Sequence, residues 1–376
     1  MAEQFEALNF AYAGTEGNVY WDESARYVFS MREVEDDLEA ATTELRALCL
    51  ELVSRVCDSE ELMERLRLPR LAFDVIRESW KKRELSLYGR FDFAYAGDGP
   101  PKLLEYNADT PTGLYEAAVV QWYWLEQLIE GNDLPTGTDQ FNSLHEKLVA
   151  RWRLLSYPRD RLHLACMTQS FEDAGNVAYL AECAKTAGFL PIIIDIRQIG
   201  VDDWDYFIDD SLRPIETLFK LYPWEWMFAD TFGGSIAHKR TRFIEPPWKA
   251  ILSNKGALAL LWEMAPGHPN LLRCHFENEA RAAALGDNYA RKPIYSREGA
   301  NVSLVRRGET IASEAGLYGA EGFVRQALHT SRAFDGHYPV LGCWLIGDEP
   351  AGMGVREDVS PITSNRSRFV PHVILD

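Results

Sequence analysis

The stretch Arg90-Phe-Asp-Phe-Ala-Tyr95, Gly97-Asp-Gly-Pro-Pro101, Leu103-Leu-Glu-Tyr-Asn107 has residue types suited to metal and phosphate chemistry. The first run alternates, with Phe91, Phe93 and Tyr95 on one face and Arg90 and Asp92 on the other. The Gly- and Pro-rich segment is turn chemistry. The second run sets Leu103, Glu105 and Asn107 on one face. Paired as a hairpin, the runs display Arg90, Asp92, Glu105 and Asn107 together. Two carboxylates and an amide oxygen are hard ligands that suit Mg2+, and a flanking arginine can bind the phosphate the ion carries. A plain polar hairpin face is the alternative.

The segment after the hairpin extends this chemistry. Asn107-Ala-Asp-Thr-Pro-Thr-Gly113 leads into Leu114, Ala117, Ala118, Gln121 and Leu125 at helical spacing. Thr110 or Thr112 can cap that helix, and a helix N-terminus with free N–H groups binds anions. Further on, Ser253-Asn-Lys-Gly256 precedes an apolar helical run. Arg291-Lys-Pro-Ile-Tyr-Ser-Arg-Glu-Gly-Ala-Asn-Val302 reads as strand, turn, strand. Its Gly299 allows close backbone approach, so this flap can cover phosphates with Lys292 and Arg297 supplying charge. Gly352-Met-Gly-Val-Arg356 is a glycine-spaced strand ending in another arginine. Each basic residue taken alone is more often a surface charge. Neither the P-loop nor the Rossmann fingerprint is present.

The elements that must hold these groups are α+β. Val34, Leu38, Ala41, Leu45, Leu48 and Leu52 predict a long amphipathic helix over 31–57, whose other face carries Glu33, Glu35, Asp36, Asp37, Glu39 and Glu44 as a solvated acidic surface. Phe141, Leu144, Leu148, Trp152 and Leu155 predict another helix. The middle is α/β, with strands at 162–167 and 190–196 around a helix at 174–187. The last third is richer in strands, at 290–296, 301–306, 322–327 and 339–356. The organisation expected is a segment 1–158 of helices plus hairpin, an α/β segment 159–215, and a segment 216–376 bearing the lysines and flap.

The 376 residues carry 39 Lys and Arg against 57 Asp and Glu, a net charge of −18. That balance argues against a general nucleic-acid binder, which needs a clustered basic surface. No stretch approaches the roughly 18 apolar residues of a membrane span. The start, Met1-Ala-Glu-Gln-Phe-Glu6, lacks the features of a secretory signal. The six cysteines are scattered with no C-x-x-C pair, and the adjacent Cys274-His275 stands isolated. Reduced thiols in a cytoplasmic protein are expected.

Several of these segments, in order, make the chain resemble a known family: Arg90-Phe-Asp, Leu104-Glu-Tyr-Asn-Ala-Asp-Thr-Pro-Thr, Ser253-Asn-Lys, Lys292-Pro-Ile-Tyr-Ser-Arg-Glu-Gly-Ala-Asn, and Gly352-Met-Gly-Val-Arg-Glu-Asp358. The family is that of the glutathionylspermidine synthase synthetase domain, and the likeness is strongest to its stand-alone bacterial acid–amine ligases. The resemblance implies an ATP-grasp fold with an α/β, pre-ATP-grasp-like region and a helical N-terminal part. It implies ATP and Mg2+, two ions, as the requirements. It places Asp92, Glu105 and Asn107 on the metal ligands. Arg90, Phe91, Asp92, Lys255, Lys292 and Gln326 fall at the ATP, with Glu321–Gln326 along the adenine linker. Arg90, Arg297 and Arg356 fall on arginines near the phosphates and the reacting acid. Thr110 and Thr112 fall at the acid substrate, and Glu172, with Asp173 beside it, at the amine.

The activity implied is amide formation through an acyl phosphate, joining a small-molecule acid, glutathione-like, to an amine, polyamine-like. A carboxylate is a poor electrophile, so ATP must activate it. The polyamine synthetases of the family carry an acid further along from the position of Arg356. Here that stretch reads Ser364-Asn-Arg-Ser-Arg368, so the amine is left open. No amidase activity is expected, because no amidase domain fits before Arg90. The alternatives are a phosphoryl transferase that uses no amine and a non-catalytic ATP-binding protein. The retained metal set and both lysines argue against the latter.

Overall fold

The computed structural model describes residues 14–15, 18–155, 161–329 and 331–375. The reading of Met1–Glu6 lies outside these residues. The long N-terminal helix opens as a π-wound segment, Glu33–Glu39, and continues as α1, Ala40–Cys57. Val34, Leu38, Ala41, Leu45 and Leu52 are buried as the spacing requires, and Leu48 partly so. On the acidic face Glu35, Asp36 and Glu44 are exposed as expected, whereas the half-buried Glu33 and Asp37 make structural contacts. Glu33 accepts from the Ser30 N–H and hydroxyl at 2.9 and 2.8 Å, which closes the helix start. Asp37 accepts from the Tyr95 hydroxyl at 2.7 Å.

The chain continues through α2, Ala72–Lys81, and the hairpin strands β1, Tyr88–Ala94, and β2, Lys102–Asn107. A second π-wound segment, Glu116–Val120, runs into α3, Gln121–Glu130, and then α4, Leu144–Leu154. The α/β region contributes β3, Arg161–Cys166; α5, Phe171–Thr186; β4, Leu190–Asp195; β5, Thr217–Lys220; α6, Trp224–Ala229; and β6, Arg242–Ile244. After α7, Gly256–Met264, come β7, Cys274–Phe276; β8, Tyr289–Pro293; β9, Ser303–Arg306; β10, Glu309–Ser313; and β11, Phe323–Ala327. The run at 339–356 is not one strand but two, β12, Tyr338–Ile346, and β13, Glu349–Asp358, folded back at Gly347. Gly347 has φ 63°, a turn conformation that apolar periodicity does not reveal. The last strand of this sheet is β14, Arg368–Val370.

Three main sheets result. One is antiparallel in the order β14-β13-β12-β1-β2. The second is parallel in the order β6-β5-β3-β4, so the α/β region gains two strands beyond residue 215. Its strand order reverses between β3 and β5, the place where open α/β sheets leave a crevice at their carboxyl ends. The third is antiparallel in the order β7-β11-β8-β9-β10.

The core fixes how these sheets sit. Phe91, Phe93, Leu103 and Tyr106 of the hairpin pack in one cluster with α1 and with Leu258 and Leu261 of α7. A second cluster joins Tyr88, Trp152, Leu164 and Trp344, tying the hairpin sheet to the parallel sheet. Each large apolar side chain fully buried this way contributes about 1.5–3 kcal/mol, which holds the opposite, polar hairpin face in one orientation. Among the described residues no helix is long and apolar enough to cross a membrane.

Candidate active site

The hairpin pairs as its alternation predicts, with Arg90 opposite Asn107 and Asp92 opposite Glu105. All four therefore share a face. Behind them Phe91 stacks on Tyr106 with ring centres 4.0 Å apart. Phe91 is fully buried there, so strand alternation leaves only its backbone for any nucleotide. Leu103 departs from the expected face. The register slips between Asp92 and Phe93, and Leu103 pairs with Phe93 in the core. The bulge leaves Leu104 as the unmatched residue, and a one-residue slip moves a side chain to the other face.

The four polar groups are bound to one another. Arg90 grips Asp92 with two bonds of 2.6 and 2.9 Å. Asn107 donates to Asp92 at 2.9 Å and to Glu105 at 3.1 Å. Glu105 pairs with Lys255 at 3.0 Å, and Lys255 also donates to the Ser296 carbonyl at 2.8 Å. Lys292 donates to the Leu104 carbonyl and to Gln326, both at 2.8 Å, while Gln326 donates to the Leu103 carbonyl at 3.0 Å. The third sheet is thus clasped to β2, the edge strand of the first, through the carbonyls at its bulge. Burial pulls the Glu105 carboxyl upward, but Lys255 and Lys292 outweigh it and hold it down at about 2. Burial lowers Lys292 to about 8, against the opposing pull of Glu105.

Arg90 also donates to the Thr112 carbonyl and lies over the Trp344 ring at 5.5 Å. Its aliphatic stem crosses Gly342 of β12, where a Cβ would stand 2.7 Å from the Arg90 Cδ. Arg356, on β13, donates to the Ser364 carbonyl and lines a pocket with Arg90, Asp92, Gly113 and Trp344. Asp92 and Thr363 also line the neighbouring pocket of Glu105, Lys292, Gly299 and Gln326. The two pockets therefore adjoin at Asp92, Val340 and Thr363.

Thr110 and Thr112 do not cap the following helix. Its first amide, of Leu114, donates instead to Asn176 of α5 at 3.0 Å. The Thr110 hydroxyl accepts from Arg297 of the flap at 3.1 Å. Glu172 and Asp173 open α5, whose N-terminus is capped by Ser170. Asn176 donates to the Glu172 carbonyl at 2.8 Å, so the acids sit beside the start of the helix that follows Gly113. Burial pushes the Asp173 carboxyl up to about 6, with Arg297 opposing it. The structure thus brings Arg90, Asp92, Glu105, Asn107, Lys255, Lys292 and Gln326 together on or beside the hairpin face and joins Arg297 to Thr110, with Glu172 and Asp173 at the start of α5, whereas Glu321 lines a separate pocket with Glu64 and Phe276.

Among the described residues no three His, Cys, Asp or Glu side chains form a metal-holding group. Asp92, Glu105 and Asn107 are two carboxylates and an amide, joined by hydrogen bonds on one face. Their oxygens fit a hard divalent ion if Arg90 and Lys255 release the carboxylates. Residues not singled out in the sequence also belong here: Gly342 and Trp344, which seat Arg90, and Trp226, over whose ring Arg297 lies at 5.6 Å. The aromatic run Tyr222-Pro-Trp-Glu-Trp226 was the available signal, but such a run ordinarily means core.

Residues 1–375 match the family model of the glutathionylspermidine synthase preATP-grasp domain. A provisionally named acid–amine ligase of Haemophilus influenzae is 40% identical over 390 residues, covering 99% of this chain and 96% of that protein. Trypanothione synthetase of Crithidia fasciculata is 28% identical, over 87% of this chain and 53% of that protein. The bifunctional glutathionylspermidine synthetase/amidase of Escherichia coli is 25% identical, over 99% of this chain and 63% of that protein. The chain therefore spans between half and two thirds of the latter two. In structure it resembles a glutathione synthetase-like effector of Globodera pallida in its apo form, with a TM-score of 0.58 at 11% identity, covering 100% of this chain and 96% of that one. That likeness is one of fold.

Proposed function

The chain belongs to the glutathionylspermidine synthase preATP-grasp family, and on that premise we propose that it is an acid–amine ligase of ATP-grasp type that forms an amide at the expense of ATP. The observation that carries this reading is the polar hairpin face on which Arg90, Asp92, Asn107, Glu105 and Lys255 form one chain of contacts with Lys292 and Gln326 beside it. The names of the relatives point to a peptide-like acid and a polyamine-like amine.

The acid's carboxylate oxygen attacks the γ-phosphorus of ATP, ADP leaves, and an acyl phosphate forms. The amine's lone pair then attacks the acyl carbon, phosphate leaves with the bonding pair, and the nitrogen gives up its proton. Mg2+ held by Asp92, Glu105 and Asn107 would supply charge neutralisation at the phosphates. Lys255, Lys292, Arg90 and Arg297 stabilise the equatorial charge of the transferring group by position. Arg356 and the hydroxyls of Thr110 and Thr112 orient the acid. Glu172 and Asp173 bind the ammonium form of the amine and accept its proton.

The test is ADP release by purified protein with panels of acids and amines, together with mass detection of an amide. Release that needs both substrates supports the ligase. Release with acid alone points to phosphoryl transfer without an amine, and ATP binding without turnover to a non-catalytic protein.

A further inference from the structure

The flap between β8 and β9 turns sharply, with positive φ at Glu298, Gly299 and Asn301. One side of it rests on the segment after β13: a Cβ on Gly299 would lie 2.4 Å from the Thr363 carbonyl, and Asn365 donates to Glu298. The other side reaches toward the α/β region through Arg297. That arginine meets two groups, the Thr110 hydroxyl at 3.1 Å and the Trp226 ring at 5.6 Å.

Trp226 has no core duty of the ordinary kind. Its neighbour Trp224 is fully buried, whereas Trp226 is 37% exposed. The ring is nonetheless fixed, edge-on to Tyr222 at 5.4 Å. Its helix is fixed as well. The Trp224 N–H donates to Asp109 at 2.9 Å, and the other oxygen of Asp109 takes Lys220 at 2.6 Å in a buried ion pair. Asp109 adjoins Thr110. One buried carboxylate therefore ties both halves of the Arg297 seat to a single frame.

We propose that Trp226 is a positioning residue for the flap: its ring face holds the Arg297 guanidinium so that the flap stays shut over the reacting acyl group. The inference rests on the ligase reading for its purpose. An acyl phosphate open to solvent is attacked by water, phosphate leaves, and the acid is regenerated, so that ADP is produced without amide. A guanidinium on an aromatic face is held more firmly once water is excluded. The carboxyls of Asp173 and Glu225 lie in the field of the same guanidinium, which opposes the upward push of burial on both.

The experiment compares wild type, Trp226→Ala and Trp226→Phe. With an acid–amine pair that turns over, the ratio of ADP released to amide formed is measured. Separately, hydrogen exchange of the flap peptide 294–302 is followed with ATP and MgCl2 present. Trp226→Ala should raise the ADP-to-amide ratio and speed flap exchange by roughly two- to thirtyfold, the span expected for loss of one cation–π contact. Trp226→Phe should stay close to wild type in both, with the thermal midpoints of all three proteins checking the fold. Unchanged flap exchange in Trp226→Ala overturns the proposal. So does a fall in ADP and amide together at constant ratio, or a Trp226→Phe protein as defective as Trp226→Ala. If no pair turns over in the wild type, the ligase reading fails by itself, and flap exchange still decides the seat.

Discussion

Glu105 meets Lys255 and Asn107 directly and lies in the field of Lys292. Glu105→Ala should abolish Mg2+-dependent ADP formation, a loss of roughly a hundredfold or more. It is only partly buried, so the thermal midpoint should move little. Full activity in that variant would remove Glu105 from the metal set. Two other residues frame the pH dependence. Asp173 is held up at about 6, mainly by burial, and is charged above that value. Lys292 is held down at about 8, again mainly by burial, and is charged below that value. The amine KM should therefore rise as pH falls through 6, by roughly tenfold per unit, and the ATP KM should rise as pH climbs through 8. An amine KM flat between pH 7 and 5 would exclude Asp173 from amine binding. Glu105 and Lys292 could be named from their types and spacing, and Asp173 only from the family resemblance. Their ion-pair partners could not, because Lys255 lies 150 positions from Glu105 and no local pattern joins them.

At the scale of elements, the hairpin and its neighbour β12 form the site together. The hairpin pairing was legible, because alternating residues and a Gly-Pro turn predict both faces and the reversal. The bulge at Leu104 was not, since a single extra residue leaves no compositional mark. It nevertheless turns Leu103 into the core and offers the Leu104 carbonyl to Lys292. Nor could the sequence show that Gly342 makes room for Arg90. Gly342→Ala should push the Arg90 stem aside, since its Cβ would stand 2.7 Å from Cδ. The expected outcome is a larger loss in ADP formation than in stability, with at most about 1–3 kcal/mol of destabilisation by denaturant titration. A variant with wild-type turnover would show that the Arg90 position is not set by β12. The helix after Gly113 is a parallel case. Two threonines stood ready to cap it, yet Asn176 of α5 reaches its first amide.

Across the whole molecule, His372 joins distant parts of the chain. Its Nε2 accepts from the Phe141 N–H at 3.1 Å, so the ring is neutral and its Nδ1 donates to Gln121 at 3.0 Å. Its strand, His372–Ile374, pairs with Tyr27–Phe29. Complete burial lowers its pKa to about 3, against an ordinary 6.5. The unfolded chain binds the proton first, so this contribution is intact above pH 6.5 and is lost as pH falls toward 3. Between pH 7 and 5 wild type should lose about 2 kcal/mol more than His372→Gln in denaturant titrations. Equal losses would show that His372 titrates freely. The net charge of −18 divides on the same scale, with Glu33 and Asp37 spent on structure and Asp92 and Glu105 on the polar hairpin face. The sequence alone determined the helix stripes, the polar hairpin face, the basic flap and the family, because residue type and spacing are local properties. Only the tertiary structure decided that Lys255 and Lys292 close on that hairpin and that Trp226 receives Arg297. Those choices depend on which buried surfaces pack together, and packing is settled among segments far apart in the chain.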